Sequence, residues 1–526
     1  MASRTTGTIA AGDPVTVAAA AEILEDGGNA FDAALAALFA ACVAEPVLCS
    51  LGGGGFLLAQ PGEGAAVLYD FFCQTPRRRL PGDEVDFLPI EADFGAAIQE
   101  FHIGMGSVAT PGIVAGCFAV HDDLGSLPMT RLIEPAVLAA RRGVALASLQ
   151  SFILDTVGPI YQWSEESRRL YHSRRVPGQL LQPGERRAVP ALADTLEALA
   201  REGPRLFYEG EIADAIVRVN IDGGGALDQA DLSNYQVARR QPLRRDFAGA
   251  EILGNPAPSS GGPLIAFALA LLEDFDAGRD ESERLHRVAR AMALTDRARR
   301  HSGLSDDSHD DQVAKLLSEA FMADYRAEMP GRAGKVGGTT HISVIDGMGN
   351  TAALSVSNGE GCGHVLPIGG IMLNNMLGEE DLNPNGFFQW CPDSRITSMM
   401  SPTVVRGPGG RLLALGSGGS NRIRSAILQT LLNTLRLDLD LADAVAAPRI
   451  HLERDLLNIE GGFAETTSRT LTEAFNSHKV WPDRNFFFGG VHAAAFDPET
   501  NSFEAAGDPR RGGHTMTVGG PGHGDC

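Results

Sequence analysis

Two glycines and two threonines, Gly337-Gly338-Thr339-Thr340, stand at the head of the run HISVID, far from either end of this 526-residue chain. Glycine weakens a strand it occupies, and a buried strand begins more stably on a branched apolar residue. The residues after this junction are strand-like all the same. Thr340, Ile342 and Val344 alternate with His341, Ser343 and Ile345, a turn comes next at Asp346-Gly347-Met348-Gly349-Asn350, and TAALSVS reads as the return strand. The hairpin therefore starts at a junction whose residues serve something other than strand stability.

Chemistry offers a reason. A threonine hydroxyl is a weak nucleophile unless a base lies within hydrogen-bond reach, and one solution is the α-amino group of the same residue. That residue must be a chain terminus. An internal threonine becomes one if its hydroxyl attacks the preceding carbonyl, and a glycine there leaves the carbonyl open and tolerates a strained backbone. Gly338-Thr339 has this arrangement, and a freed amine with a pKa of about 7.7 to 8.0 suits a general base near neutrality. A glycine turn entering an edge strand is the alternative.

The rest of the chain mixes helices and strands. Residues 14 to 46 read as an αα-hairpin broken at Asp26-Gly27-Gly28-Asn29, with a second helix apolar enough to be buried. LGGGGFLLAQPGEGAAVLYDFF, residues 51 to 72, reads as a β-hairpin. Its four glycines, Gly52 to Gly55, lack the lysine, the hydroxyl and the succeeding helix of a phosphate-binding loop, so they read as a turn where backbones approach closely. Residues 129 to 330 are rich in helical pattern. Beyond Thr339 come strand patterns at 401–407 and 411–419 and the helical IRSAILQTLLNTLRL. GSGGSNRIR, residues 416 to 424, lies between strand and helix. The N–H groups of Gly418 and Gly419 there suit an oxyanion hole, unless Ser420 serves as the helix N-cap. Strands and helices in mixed order predict an α+β protein of layered sheets covered by helices.

A formal charge of −22, from 66 acidic against 44 basic residues, disfavours nucleic acid as a partner. No apolar run reaches the roughly 20 residues of a membrane span and no secretory leader opens the chain, so the expectation is a cytoplasmic protein without a membrane partner. Seven scattered cysteines without a C-x-x-C pair point to neither a disulfide framework nor a zinc site. The reading calls for no metal and no cofactor.

Taken together, the motifs resemble those of the gamma-glutamyltranspeptidase family. GGNAFDAALAA (27–37), LGGGGFLLA (51–59), ATPGIVAG (109–116), GGTTHISVIDGMGN (337–350), LNNMLGEED (373–381), SMMSPTVV (398–405), GSGGSNRI (416–423) and DPRRGG (508–513) occur in the family's order across nearly the whole chain. The resemblance implies an N-terminal-nucleophile hydrolase fold, an αββα four-layer sandwich forming a single large domain. It implies a precursor that cuts itself between Gly338 and Thr339 into a large segment, 1–338, and a small one, 339–526. These stay associated, and a higher oligomer is left open.

By the same resemblance Thr339 is the nucleophile, Ser357 a hydroxyl that tunes it, and Asn358 a substrate contact. Glu379 grips the substrate's α-amino group, Ser398 is the first of two serines on its carboxylate, and Gly418 and Gly419 supply the oxyanion hole. Three positions depart from the family. Phe72 stands where an arginine clamps the α-carboxylate, Met399 replaces the second serine, and the oxyanion loop lacks its proline, so the donors are either Gly418 and Gly419 or Gly419 and Ser420. The expected substrate is a small gamma-glutamyl amide such as glutathione. A related amide with another acyl group, for instance glutaryl, and an uncleaved homologue that only binds a metabolite are the alternatives. Arg77, Arg78 or Arg79 would have to fold back to replace the missing arginine.

Overall fold

The computed structural model describes residues 4–82, 84–93, 98–304, 310–328, 339–383, 385–453 and 456–519. Gly338, the residue before the expected cut, lies outside the described residues, as do Gly337 and Cys526.

Two sheets face each other. Numbered in chain order, their strands are β1 (Gly7–Ala11), β2 (Gly54–Gln60), β3 (Val67–Phe71), β4 (Ala238–Arg240), β5 (Leu243–Phe247), β6 (Ala250–Gly254), β7 (Thr340–Asp346), β8 (Thr351–Ser357), β9 (Thr403–Arg406), β10 (Leu412–Gly418), β11 (Gly490–Asp497), β12 (Ser502–Ala506) and β13 (His514–Val518). The first sheet runs β13-β1-β7-β8-β2-β3-β4 and the second β12-β11-β10-β9-β6-β5. Strand β7 lies against β10 and β11 across the gap, which stacks the sheets. Each sheet combines strands from before and after Thr339, and β1 sits between β13 and β7.

Helices cover both outer faces. Over the first sheet lie α1 (Pro14–Glu25), α2 (Ala30–Ala44), α3 (Met129–Arg142) and α4 (Pro190–Glu202); over the second, α5 (Gly261–Leu271), α6 (Glu281–Ser302) and α7 (Arg422–Leu435). The αα-hairpin is as expected, because its signals are local. Asp13 caps α1 by accepting from Val15 N, and Asn29 and Asp32 form a capping box on α2, all of whose residues are buried. The helical expectation for 129–330 needs one correction: β4, β5 and β6 lie within it. The Arg-rich β4 and β5 form the outer edges of the two sheets, where polar side chains reach solvent, and β6 pairs inside the second sheet between β5 and β9.

Period-two alternation sorts the apolar residues into two cores. Ile342, Val344, Leu354 and Leu57 face the first helix layer, while Ile345, Ala353, Phe56 and Leu58 face the second sheet. The inter-sheet face turns polar toward the start of β7. There His341 bonds Ser355 Oγ at 2.8 Å and Ser343 Oγ at 3.0 Å, all three fully buried. Burial first, and His492 second, hold the His341 imidazole well below its ordinary pKa, so it is a neutral part of the framework.

Candidate active site

Thr339 immediately precedes β7 and is 4 % exposed. The register that pairs Thr340 with Val356 brings Thr339 opposite Ser357, the last residue of β8. By alternation both side chains belong to the inter-sheet face. Ser357 Oγ also accepts from Gly359 N at 3.0 Å.

The second sheet meets this end of β7 at closest range through Gly418. A Cβ added there would fall 1.9 Å from the Thr339 carbonyl oxygen, so only glycine fits. Gly418 is still a strand residue, paired with Gly490. The turn proper is Gly419, with φ at 119°, and Ser420, a non-glycine residue at φ 48°. The expectation that Ser420 caps the helix fails: Asn421 holds the cap position, and Ser420 Oγ donates instead to Asp381 at 2.5 Å. Asn421 Nδ2 donates to the other oxygen of Asp381 at 3.1 Å. Asp381 thus holds the strained turn from outside. The first helical bonds run from Arg422 N to Gly419 O and from Ile423 N to Ser420 O, leaving the amides of Gly419 and Ser420 outside the helix. On the far side, Arg511 Nη1 donates to Thr339 O at 3.4 Å.

Thr339, Ser357, Glu379, Asp381, Ser398 and Ser420 line one small pocket together with Phe72, Met376, Leu382, Met399, Met400 and Ile423. Seven of the positions singled out in the sequence thus converge: Thr339, Ser357, Glu379, Ser398, Phe72, Met399 and Ser420. Asn358 does not line it; it is 1 % exposed and its Nδ2 reaches Leu373 O at 3.5 Å. Ser398 Oγ accepts from Met400 N at 3.1 Å.

The pocket's electrostatics are one-sided. Among the described residues none that lines it is an arginine, lysine or histidine. Glu379 is 7 % exposed, and its Oε1 has no hydrogen-bond partner within the described protein. Burial, with Glu360 and Asp381 adding negative charge, pushes its pKa well above the carboxylate range. Burial and then Glu453 also raise Asp381.

Phe72 is 1 % exposed and stacks on Phe56 with ring centroids 5.4 Å apart, so it belongs at once to the inter-sheet core and to the pocket wall. Arg77, Arg78 and Arg79 are exposed and do not line the pocket; Arg79 lies over the Trp390 ring. An arginine that the sequence did not single out, Arg395, lies behind Phe72. It is occupied there: Nη1 donates to Phe72 O and Tyr235 Oη, Nη2 to Gln236 O, and Nε lies 3.4 Å from Asp70. Asp381 was likewise missed; its signal was the acidic run Glu379-Glu380-Asp381, which does not say which member reaches the turn after β10.

Among the described residues no group of three or more His, Cys, Asp or Glu is arranged to hold a metal ion, and no helix is long and apolar enough to cross a membrane.

Known proteins match this arrangement along its length. The profile of the family described as Gamma-glutamyltranspeptidase covers residues 16–518. An acylase ACY 1 proenzyme of Pseudomonas sp. (strain V22) is 32 % identical, covering 94 % of this chain and 90 % of that protein. A glutathione hydrolase proenzyme of Escherichia coli (strain K12) is 30 % identical, over 88 % of this chain and 84 % of that protein. The crystal structure of a cephalosporin acylase from Bacillus halodurans superposes with a TM-score of 0.83 over 98 % of this chain and 96 % of that one, at 23 % identity, a likeness of fold.

Proposed function

The chain belongs to the gamma-glutamyltranspeptidase family, and from that premise we propose that it is a self-cleaving amidase with Thr339 as nucleophile and an acyl group other than gamma-glutamyl as its preferred cargo. The chain opens between Gly338 and Thr339, giving segments 1–338 and 339–526. The freed Thr339 amine takes the proton of its own hydroxyl, and Oγ1 attacks the substrate amide carbonyl. The resulting oxyanion is met by backbone N–H groups of the turn after β10, and the geometry favours Gly419 and Ser420 over Gly418 and Gly419, because Gly418 is a strand residue and Ser420 lines the pocket. The amine returns the proton to the leaving nitrogen, and water or another amine then releases the acyl group from Thr339.

One observation supports the acyl preference: among the described residues no cation lines the pocket, while a buried carboxyl with an unpartnered oxygen does. An acyl chain ending in a carboxylate finds Phe72 and Met399 where a fork of charge-assisted bonds would be needed. That bears on glutaryl as much as on gamma-glutamyl, since both end in a carboxylate. A chain ending in an ammonium finds Glu379. The gamma-glutamyl group without its α-carboxylate is 4-aminobutanoyl, and that is the acyl class the pocket fits. Gamma-glutamyl hydrolysis is the second reading, favoured by the same Glu379, which would take the α-ammonium.

Two measurements test this. Intact mass and N-terminal sequencing of wild type, Thr339→Ala and Thr339→Ser should give a new threonine terminus in the wild type, none in the alanine variant and slow cutting in the serine variant. A cut alanine variant would remove Thr339 from its role. Comparing kcat/KM for the p-nitroanilides of 4-aminobutanoate, gamma-glutamate and glutarate should rank them in that order. A wild type that prefers the gamma-glutamyl compound would return the chain to glutathione-type chemistry.

A further inference from the structure

Two threonines stand at the head of β7, Thr339 just before it and Thr340 as its first residue, and only Thr339 lines the pocket. The second, Thr340, points into the helix layer, where its Oγ1 donates to Glu45 Oε2 at 2.7 Å. Glu45 is 1 % exposed, ends α2, and receives a second bond from Thr16 Oγ1 of α1 at 2.8 Å. A buried carboxylate is costly, and this one lies near a second acid, Asp13. A helix end could be closed far more cheaply by an apolar residue, so the position asks for a reason.

Helix α2 supplies it. Its first amide, Ala30 N, donates to Asp346 Oδ2 at 2.9 Å, and Asp346 is the last residue of β7. The helix of 15 residues spans about 22 Å and the strand of seven about 20 Å. The helix therefore lies along the strand and is bonded to both of its ends: by Asp346 at the turn, and by Glu45 through Thr340 at the head.

Accepting the reading of Thr339 as nucleophile, we infer that Glu45 is a positioning residue for it: by holding the Thr340 hydroxyl it fixes the head of β7 against α2 and keeps the second threonine out of the pocket. The cut creates the need for it. Before cutting, the chain on both sides of Thr339 restrains it. Afterwards a free terminus frays unless it is tied down; besides the Arg511 bond to the Thr339 carbonyl, the Thr340 side chain anchors the next residue of the strand. Small displacements of a nucleophile are expensive in rate. A carboxylate serves better than an apolar plug because it can accept from α1 and β7 together, joining three elements at one point.

The test is a double-mutant cycle on the full chain, with Thr340→Val, Thr340→Ser, Glu45→Gln and Glu45→Gln combined with Thr340→Val. Maturation is tracked by intact mass, kcat and KM by the preferred p-nitroanilide, and folding by thermal melting. Thr340→Val should slow maturation and lower kcat by about tenfold or more with KM little changed, while Thr340→Ser stays close to wild type. Glu45→Gln should lower kcat without lowering the melting temperature, which a purely structural role would not produce. The combined variant should be no worse than the poorer single one. The inference is overturned if Thr340→Val matures and turns over like wild type, or if the two single effects multiply. Should Thr340→Val not fold, the Glu45→Gln outcome alone decides, and wild-type kcat in it refutes the role. A neutral Thr340→Val beside a dead Thr339→Ala sinks this inference and leaves the nucleophile standing; a cut Thr339→Ala sinks the nucleophile itself.

Discussion

Replacing Glu379 by glutamine changes one oxygen for one amide group in the pocket and keeps its shape, which makes it the cleanest probe of what the pocket holds. Among the described residues Glu379 Oε1 is buried without a partner, and burial together with Glu360 and Asp381 raises its pKa well above the ordinary range. A substrate ammonium would supply the missing partner and draw the carboxyl into its charged form. A hydrogen bond to a charged group contributes about 1.5 to 3 kcal/mol, so Glu379→Gln should lose roughly 10- to 150-fold in kcat/KM on 4-aminobutanoyl-p-nitroanilide. On butanoyl-p-nitroanilide, which has no charge to offer, the loss should stay below about threefold.

The pH dependence has a definite sign. A group whose folded pKa is raised contributes stability below its unfolded pKa of about 4.3 and loses it as pH rises through the folded value. Glu379→Gln should therefore melt increasingly higher than wild type as pH rises from acid toward alkaline. For catalysis the charged form is the useful one, so wild-type kcat/KM for the ammonium substrate should climb through that same raised pKa. The variant should lack the limb. Stopped assays between pH 5 and 9 with both anilides decide the matter. Equal losses on the two substrates, or an unchanged pH limb, would refute the assignment of Glu379 to an ammonium.

Phe72→Arg should shift the ratio of kcat/KM toward gamma-glutamyl and glutaryl anilides, and because the ring is stacked on Phe56 in the core it should also cost about 3 kcal/mol or more in stability, read by urea unfolding. Asp381→Asn should weaken the hold on the Ser420 turn and lower kcat about tenfold with KM nearly constant; an unchanged kcat would disconnect Asp381 from the turn. Glu45, whose pKa burial and the neighbouring Asp13 push up to about 7 against the bonds from Thr340 and Thr16, should make Glu45→Gln progressively more stable than wild type as pH rises from the unfolded carboxylate value to about 7, with the difference levelling off above that. The groups facing it are Asp13, Cys49, Thr16 and Thr340, and the gain should reach roughly 3 kcal/mol by pH 8, measured as the difference in melting curves at pH 5 and pH 8.

The features legible in the sequence were local ones. The alternation after Thr339 correctly sorted its strand into two faces, and the caps of the αα-hairpin were readable because a cap and its helix are neighbours in sequence. The strands at 238–240 and 243–247 were hidden by their charges, since an edge strand carries polar residues that look like loop. No local pattern could give the pairing of distant residues. Glu45 meets Thr340 across 295 positions and Asp381 meets Ser420 across 39, and each is an ordinary acid until its partner is known. The turn after β10 was ambiguous for the same reason: Gly418 and Gly419 look alike in sequence, and only the pairing with Gly490 and the approach of the Thr339 carbonyl show that Gly418 is still strand.

The interleaving of the first sheet has a consequence for the life history of the molecule. Strand β1, from before Thr339, is flanked on both sides by strands from after it, and β8 pairs with β2 across the same divide. If the proposed cut before Thr339 takes place, the two pieces are woven in the first sheet and not merely docked, so neither can leave without breaking that sheet apart and parting β6 from β9 in the second. Before the cut, an unfolded copy refolds alone at a rate indifferent to dilution. After it, an unfolded copy must find its other half, and recovery slows with every dilution. Maturation would thus be a ratchet: the act that makes the terminus also discards the route back, and a mature molecule lasts only as long as it takes to unfold once.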